Sequence, residues 1–232
     1  LIAAVSAPTA EGVLYELDLR LRPSGNKGPV ATHIDAFGKY QREEAWTWEH
    51  MALTRARVVA GEAGLADKVE AEIAAILAQP RDAAKVRRDA VEMRELIGKE
   101  KPPQGKWDLK LMPGGLIDLE FVAQVATLTG AVEADRRLTA TADVLAHLSP
   151  AFAEPQVRQE LGDALALYST LTQIIRLCLT GSVDSEGIPP GLADLLLART
   201  DLPEMKVLEA HVAETARKVR AHFDALLKGR RK

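Results

Sequence analysis

Gln156-Val-Arg-Gln-Glu-Leu-Gly-Asp-Ala-Leu-Ala-Leu-Tyr-Ser-Thr-Leu-Thr-Gln-Ile-Ile-Arg-Leu-Cys-Leu-Thr180 is the stretch that decides the fold. Val157, Leu161, Ala164, Leu165, Tyr168, Leu171, Thr172, Ile175 and Leu179 recur at helical spacing and form one apolar stripe. A helix with a single apolar face must bury that face against another element. Working outward, the same period returns on both sides. Leu65, Val69, Ile73, Ile76 and Leu77 make one stripe, and Val86, Ala90, Met93 and Ile97 another. Leu208, Val212, Thr215, Val219, Phe223 and Leu226 make a third, before the basic tail Lys228 to Lys232. Ile34 to Val59 contains no proline and reads as a helix stopped near Gly61, and Leu116 to Leu128 reads as a further helix. These faces predict a mainly α chain built as a helical bundle.

The N-terminal part follows a different period. Val13, Tyr15, Leu17, Leu19 and Leu21 alternate with Glu16, Asp18, Arg20 and Arg22. Period two predicts a strand with one buried and one polar face. Pro23-Ser24-Gly25-Asn26 then predicts a turn, and a short extended piece follows near Pro29 to Thr32. Further on, Lys99 to Gly115 is rich in Pro and Gly and interrupts the helices, with Trp107 to Met112 expected as a short extended segment. The polar stretch Ser182 to Pro190 suits a helix–helix connection.

Composition narrows the function classes. The chain has 232 residues, 47% apolar and 27% charged, with a net charge of −3. Such a chain supports a real core. Its charge balance points to neither a nucleic-acid platform nor a polybasic membrane patch. No apolar run approaches the roughly 18 residues of a membrane span. The single cysteine, Cys178, lies in an apolar helical pattern and is expected to be a buried core residue. One cysteine allows no intrachain disulfide and fits a reducing cytoplasm. The chain opens on Leu1 rather than Met, which suggests either a cloned piece or a truncated reading frame.

Three groups of residues have chemical potential. Alternation places Glu16, Asp18, Arg20 and Arg22 on one strand face. A carboxylate there suits Mg²⁺, and guanidiniums suit phosphate. A solvated strand edge with cross-strand ion pairs explains the same spacing. Second, Tyr40 to Arg57 mixes aromatic and charged residues. Trp46, Glu49, His50, Leu53 and Arg57 fall on one side, and Trp48, Ala52, Arg55 and Val59 on another. That pattern fits a nucleotide-facing surface or packed tryptophans with surface ion pairs. Third, Lys110, the Gly114-Gly115 turn, Asp118 and Glu120 place a cation beside a helix start, where a phosphate or a purely structural turn fits. The five histidines lack metal-site spacing, and no P-loop or nucleophile elbow occurs.

In this order the motifs resemble one family. Tyr15-Glu-Leu-Asp-Leu-Arg-Leu-Arg-Pro-Ser-Gly25 looks like the third catalytic-carboxylate strand of the glutamine synthetase adenylyltransferases. Tyr40 to Arg57 looks like the helix after it, and Asp108-Leu-Lys-Leu-Met-Pro-Gly-Gly-Leu-Ile-Asp-Leu-Glu-Phe121 like a later family block. The wording Arg-Pro-Ser-Gly and Glu-Ala-Trp-Thr-Trp-Glu-His looks like that of the adenylylating half, and the chain's end fits the natural C-terminus of the family's whole enzyme. The uridylyltransferase of PII shares the Lys…Gly-Gly…Asp block, but the Trp-Thr-Trp-Glu-His stretch favours the adenylyltransferase.

The resemblance implies a short β remnant of a polymerase-β-like nucleotidyltransferase domain over residues 1–60. It implies a C-terminal helical regulatory or substrate-facing domain over 61–232. It implies transfer of AMP from ATP to a tyrosine of glutamine synthetase with two Mg²⁺ ions, under control by glutamine and the PII signal protein. Asp18 matches the third carboxylate, a catalytic residue and metal ligand, with Arg20, Arg22 and Lys110 as nucleotide-binding cations. The family's other two carboxylates form an upstream D-x-D, and no D-x-D precedes Asp18 here, Leu1 to Gly12 holding only Glu11. These 232 residues alone are therefore expected to be inactive. The alternative is a non-catalytic helical module that docks glutamine synthetase or PII.

Overall fold

The computed structural model describes residues 2–13, 22–179, 181, 183 and 187–228. The charged strand face falls mostly elsewhere: Glu16, Asp18 and Arg20 lie outside the described residues, and Arg22 lies within them. What is described at the N-terminus is a short helix α1 (Ile2–Ser6) and a hairpin of β1 (Pro8–Thr9) and β2 (Gly12–Val13). The two strands pair antiparallel, Pro8 with Val13 and Thr9 with Gly12. Among the described residues every element after the 3₁₀ turn Gly25–Lys27 is helical, apart from an isolated antiparallel bridge between Val132 and Leu148, so the expected architecture of a helical bundle after a short β remnant holds. Pro29 to Thr32, expected as extended, forms bends and joins no strand.

Helices α2 (Ile34–Glu43), α3 (Thr47–Leu53) and α4 (Ala63–Leu77) gather around a small core of Leu53, Ile73 and Ile76. Phe37, Ala56, Val69 and Leu77 pack against it. The sequence pattern suggested one helix from Ile34 to Val59, but the chain breaks at Glu44–Trp46 and leaves helix after Leu53. The reason is packing. α2 lies on α4, whereas α3 also lies on two bundle helices, and one straight helix of about 39 Å has no way to follow both. The break is fastened locally. Glu49 accepts from the Trp46 N–H at 2.9 Å and from the Tyr40 hydroxyl at 2.7 Å. Past α4, Arg81 donates to the carbonyls of Ile76, Leu77 and Gln79 and satisfies the end that Pro80 leaves open.

The larger core belongs to α5 (Ala83–Glu100), α6 (Leu116–Leu128), α7 (Thr141–Ala146), α8 (Pro155–Cys178), α9 (Pro190–Thr200) and α10 (Met205–Phe223). α6 is apolar on almost every side, which marks a helix enclosed by others. It touches α3, α5, α7, α8 and α10, and Leu119, Val122, Val125 and Ala126 are wholly buried. The α8 stripe buries Leu161, Ala164, Tyr168, Leu171 and Ile175 as its spacing predicts. α10 buries Leu208, Val212, Val219 and Phe223, and runs into a π-helical turn, Asp224–Lys228. In that turn Leu227, not the expected Leu226, is buried.

Two further expectations are corrected. Trp107 to Met112 is a series of turns rather than an extended segment. Asp108 causes this: its carboxylate accepts from the N–H groups of Leu111 (3.0 Å) and Gln104 (3.2 Å), and its carbonyl accepts from Met112 at 3.0 Å. Cys178 is exposed, not buried, because α8 ends there, three residues beyond its last buried position, Ile175.

Candidate functional site

The two motif blocks that lie in described residues meet in space. Arg55, just past α3, pairs with Glu120 of α6 at 3.0 Å. Arg137, from the loop before α7, donates to the Ala56 carbonyl at 2.7 Å and also bonds Glu70 of α4. Glu70 in turn accepts from the Val58 N–H at 2.7 Å, a bond that holds its carboxyl below the usual range, aided by Arg137. These bonds tie the small core to the bundle through the irregular segment after Leu53.

Asp118 is the centre of the third group. It is fully buried, and its carboxylate accepts from Arg94 of α5, from the Gly114 N–H at 2.7 Å and from Arg220 of α10 at 3.2 Å. Arg94 is only 4% exposed and also donates to the carbonyls of Leu111 (3.0 Å) and Met112 (3.1 Å). One carboxylate thus joins the Gly-Gly turn, α5, α6 and α10. The N–H groups at the start of α6 are taken up too. Leu116 donates to the Leu109 carbonyl at 2.8 Å, Ile117 to that of Lys110 at 3.3 Å, and Asp118 to that of Gly115 at 3.0 Å. The helix start is therefore occupied by its own turn, and the structural reading of this block is the one the geometry supports.

Arg94 was missed by the sequence reading, which placed Met93 on the buried stripe. The four-residue steps from Val86 to Ala90 to Arg94 carried the signal, since all three are buried. The Tyr168 hydroxyl is buried with no hydrogen-bond partner among the described residues. Burial, and then the charge of Asp118, push it above the ordinary phenol range.

Of the expected nucleotide-binding cations, Arg22 is partly buried and lines a cleft of about 740 Å³ between the small core and α6. Trp48, Glu49, Arg55 and Gln124 share that cleft. Lys110 is exposed and lines a different cavity, with Trp107 and Arg176. The structure therefore places Arg22 and Lys110 in separate cavities. Trp46 is 71% exposed and Trp48 41% exposed, so neither is a packing tryptophan. Among the described residues no three His, Cys, Asp or Glu side chains converge to hold a metal ion.

His50 lies on α3 with its Nε2 at 2.7 Å from the Gln41 carbonyl. Burial lowers its pKa from the ordinary 6.5, the carbonyl bond opposes that, and Arg81 lowers it further. The folded protein then binds fewer protons at His50 than the unfolded chain below 6.5. The stabilisation is complete above that value and is lost as pH falls through the folded pKa. Urea midpoints should therefore drop between about pH 7 and about pH 5, and His50→Gln should flatten that slope. An equal slope in the variant would rule His50 out as its source.

Comparison with known proteins places this geometry. Residues 1–72 match the family described as glutamate-ammonia ligase adenylyltransferase, and residues 84–227 match the family described as GlnD PII-uridylyltransferase. Similar relatives are the bifunctional glutamine synthetase adenylyltransferase/adenylyl-removing enzymes of Mesorhizobium japonicum (68% identical over 100% of this chain) and Brucella suis (56% over 98%). The enzyme of the same name from Agrobacterium fabrum is 52% identical over 98% of the chain. The chain spans 23% of the length of each of these curated relatives. With the two family matches following one another along the chain and 68% identity over the whole of it, the chain belongs to the family of bifunctional glutamine synthetase adenylyltransferases, a nucleotidyltransferase family, its residues 84–227 matching the GlnD PII-uridylyltransferase family.

Proposed function

We propose that this chain is part of an enzyme that transfers AMP from ATP to a tyrosine hydroxyl of glutamine synthetase. The observation that carries the reading is the 68% identity, over the whole chain, to a relative named for that activity. In the reaction the phenol oxygen bonds to the α-phosphorus, the bond to the β-phosphate bridge breaks, and pyrophosphate leaves as the phenol loses its proton. We assign Asp18 as one carboxylate of a two-magnesium site, with Arg20, Arg22 and Lys110 as the cations that meet the nucleotide. These 232 residues do not fit two magnesium ions by themselves. Asp18 is a single ligand, and no metal-holding cluster occurs among the described residues.

Residues 1–60 are proposed to close the transfer domain, and 61–232 to form the regulatory and substrate-facing part. α4 packs on α2 and α3 while its Leu77 meets the larger core and its Glu70 bonds Arg137, so it is proposed as the joint between them. Glutamine and PII are the proposed effectors, and the cytoplasm the proposed compartment. Among the described residues no helix is long and apolar enough to cross a membrane. The second reading, a docking module without chemistry, is favoured by one observation: apart from Met51 of α3, every buried residue of the larger core comes from Val86 onward.

Two measurements separate the readings. In the full-length enzyme, Asp18→Asn should lower AMP transfer to glutamine synthetase by on the order of a hundredfold or more, as loss of charge neutralisation at phosphorus demands. The 232-residue chain alone should label nothing. An unimpaired Asp18→Asn enzyme would remove Asp18 from the reaction, and labelling by the short chain would remove the requirement for further carboxylates.

A further inference from the structure

The first 72 residues bury little and expose much. Among the described residues of that span only Met51 and Leu53 are buried apolar side chains, and Met51 belongs to the larger core. Against them Val30, Trp46, Trp48, Val59 and Leu65 stand exposed. The span is less than a third of the chain, yet it holds most of the large apolar side chains that stand exposed among the described residues. A unit with so small a core needs further burial to hold its shape.

Trp46 is the most exposed of these aromatics, and its backbone is fixed from two sides. Its N–H donates to Glu49, which also accepts from the Tyr40 hydroxyl of α2. Beside it Thr47 bonds Asp89 of α5, which is paired with Lys85. The indole therefore stands out from a rigid point. A large aromatic presented in this way loses little freedom on contact, and such residues anchor buried interfaces.

A cover is at hand in the enzyme's own chain. The adenylyltransferase family match ends at residue 72, and the whole chain is 23% of the length of its curated relatives. More than three quarters of such an enzyme is other polypeptide, held close by covalent linkage. A permanent contact is apolar at its centre, whereas one made and released with a substrate is about as polar as ordinary surface.

We propose, resting on the reading of residues 1–60 as the close of the transfer domain, that the Trp46 face packs against the part of the full-length enzyme outside these 232 residues, with the indole as anchor. Hydroxyl-radical footprinting, read by mass spectrometry against a free tryptophan peptide, tests this on the full-length enzyme and on the 232-residue chain. Trp46 should be modified more slowly in the full-length enzyme by about fivefold or more, at high and low enzyme concentration alike and without glutamine synthetase. Equal rates in the two proteins, protection that fades on dilution, or protection that needs added glutamine synthetase would each overturn the assignment. The face would then be bare, covered by a second copy, or covered by the substrate.

Trp46→Ser removes the indole and puts a favoured residue at the start of α3. The 232-residue chain should keep its melting temperature, while that of the full-length enzyme should fall by about 3 °C or more. An unchanged full-length enzyme, or an equal fall in both proteins, would also overturn the assignment, the second by showing that Trp46 packs within residues 1–232. AMP transfer is read separately. A protected Trp46 in an enzyme that transfers no AMP would leave the contact standing and remove the proposed function. A bare Trp46 in an enzyme that transfers AMP would do the reverse.

Discussion

Replacing Asp118 with Ala should destabilise the protein by about 3–5 kcal/mol. The carboxylate is fully buried, and Arg94 beside it is almost so. Their attraction is not what sets the size of the effect, since bringing both charges out of water opposes it. The loss comes from what is left behind: a guanidinium inside the protein with two carbonyl acceptors and no counter-charge. The Gly114 N–H loses its acceptor as well. Arg220 suffers less, because it is partly exposed and keeps Asp224 at 3.0 Å. This asymmetry makes a sharp test. Arg94→Met with Asp118→Leu removes both charges and keeps the volume, so it should recover most of the stability lost by Asp118→Ala. Arg220→Ala should cost far less than either single change at the buried pair. Urea unfolding of these three variants and of Arg94→Met alone measures this directly. A double variant no more stable than Asp118→Ala would show that Asp118 acts through the turn rather than through Arg94.

The helices were legible because their signal is local and repeated. The α8 stripe follows from side-chain period and the start of α6 from the Gly-Gly turn before it, and the structure buries the centre of the α8 stripe. What the period does not hold is partner geometry. The break at Glu44–Trp46 arises from two different packing surfaces, and nothing within Ile34 to Val59 announces them. Arg94 was hidden for a related reason: a charged residue on an apolar stripe looks like the stripe's edge until its acceptor, 24 positions later, is known. The candidate site was legible as motifs rather than as a constellation. The blocks were readable, but the Arg55–Glu120 pair and the cleft between Gln41 and Gln124 join residues far apart in sequence. Asp18 and Arg20 fall outside the described residues, so their role stays a proposal argued from resemblance.

The Gly-Gly turn is where a single methyl group should have the next largest effect. Gly114 has φ +78°, and a Cβ built on it would stand 1.9 Å from the Ala216 carbonyl oxygen of α10. Two costs then add in Gly114→Ala. The left-handed backbone costs an L-residue about 1–2 kcal/mol. The clash must be relieved by moving backbone, because the atom it meets belongs to a helix and not to a flexible side chain, and overpacking of that kind costs about 1–3 kcal/mol. The expected total is about 2–5 kcal/mol. Gly130 separates the two contributions. Its φ is +68°, close to that of Gly114, yet a Cβ there meets nothing within 4 Å. Gly130→Ala should therefore show the backbone cost alone, and the difference between the variants reports the approach of α10 to the turn. Because Arg220 lies one helical turn beyond Ala216, pushing α10 away also lengthens the bond from Arg220 to Asp118. Gly114→Ala and Arg220→Ala should then be less than additive when combined, since the first already weakens what the second removes. Full additivity, or equal losses at Gly114 and Gly130, would mean that α10 yields freely and that the glycine is there for its dihedral angle alone.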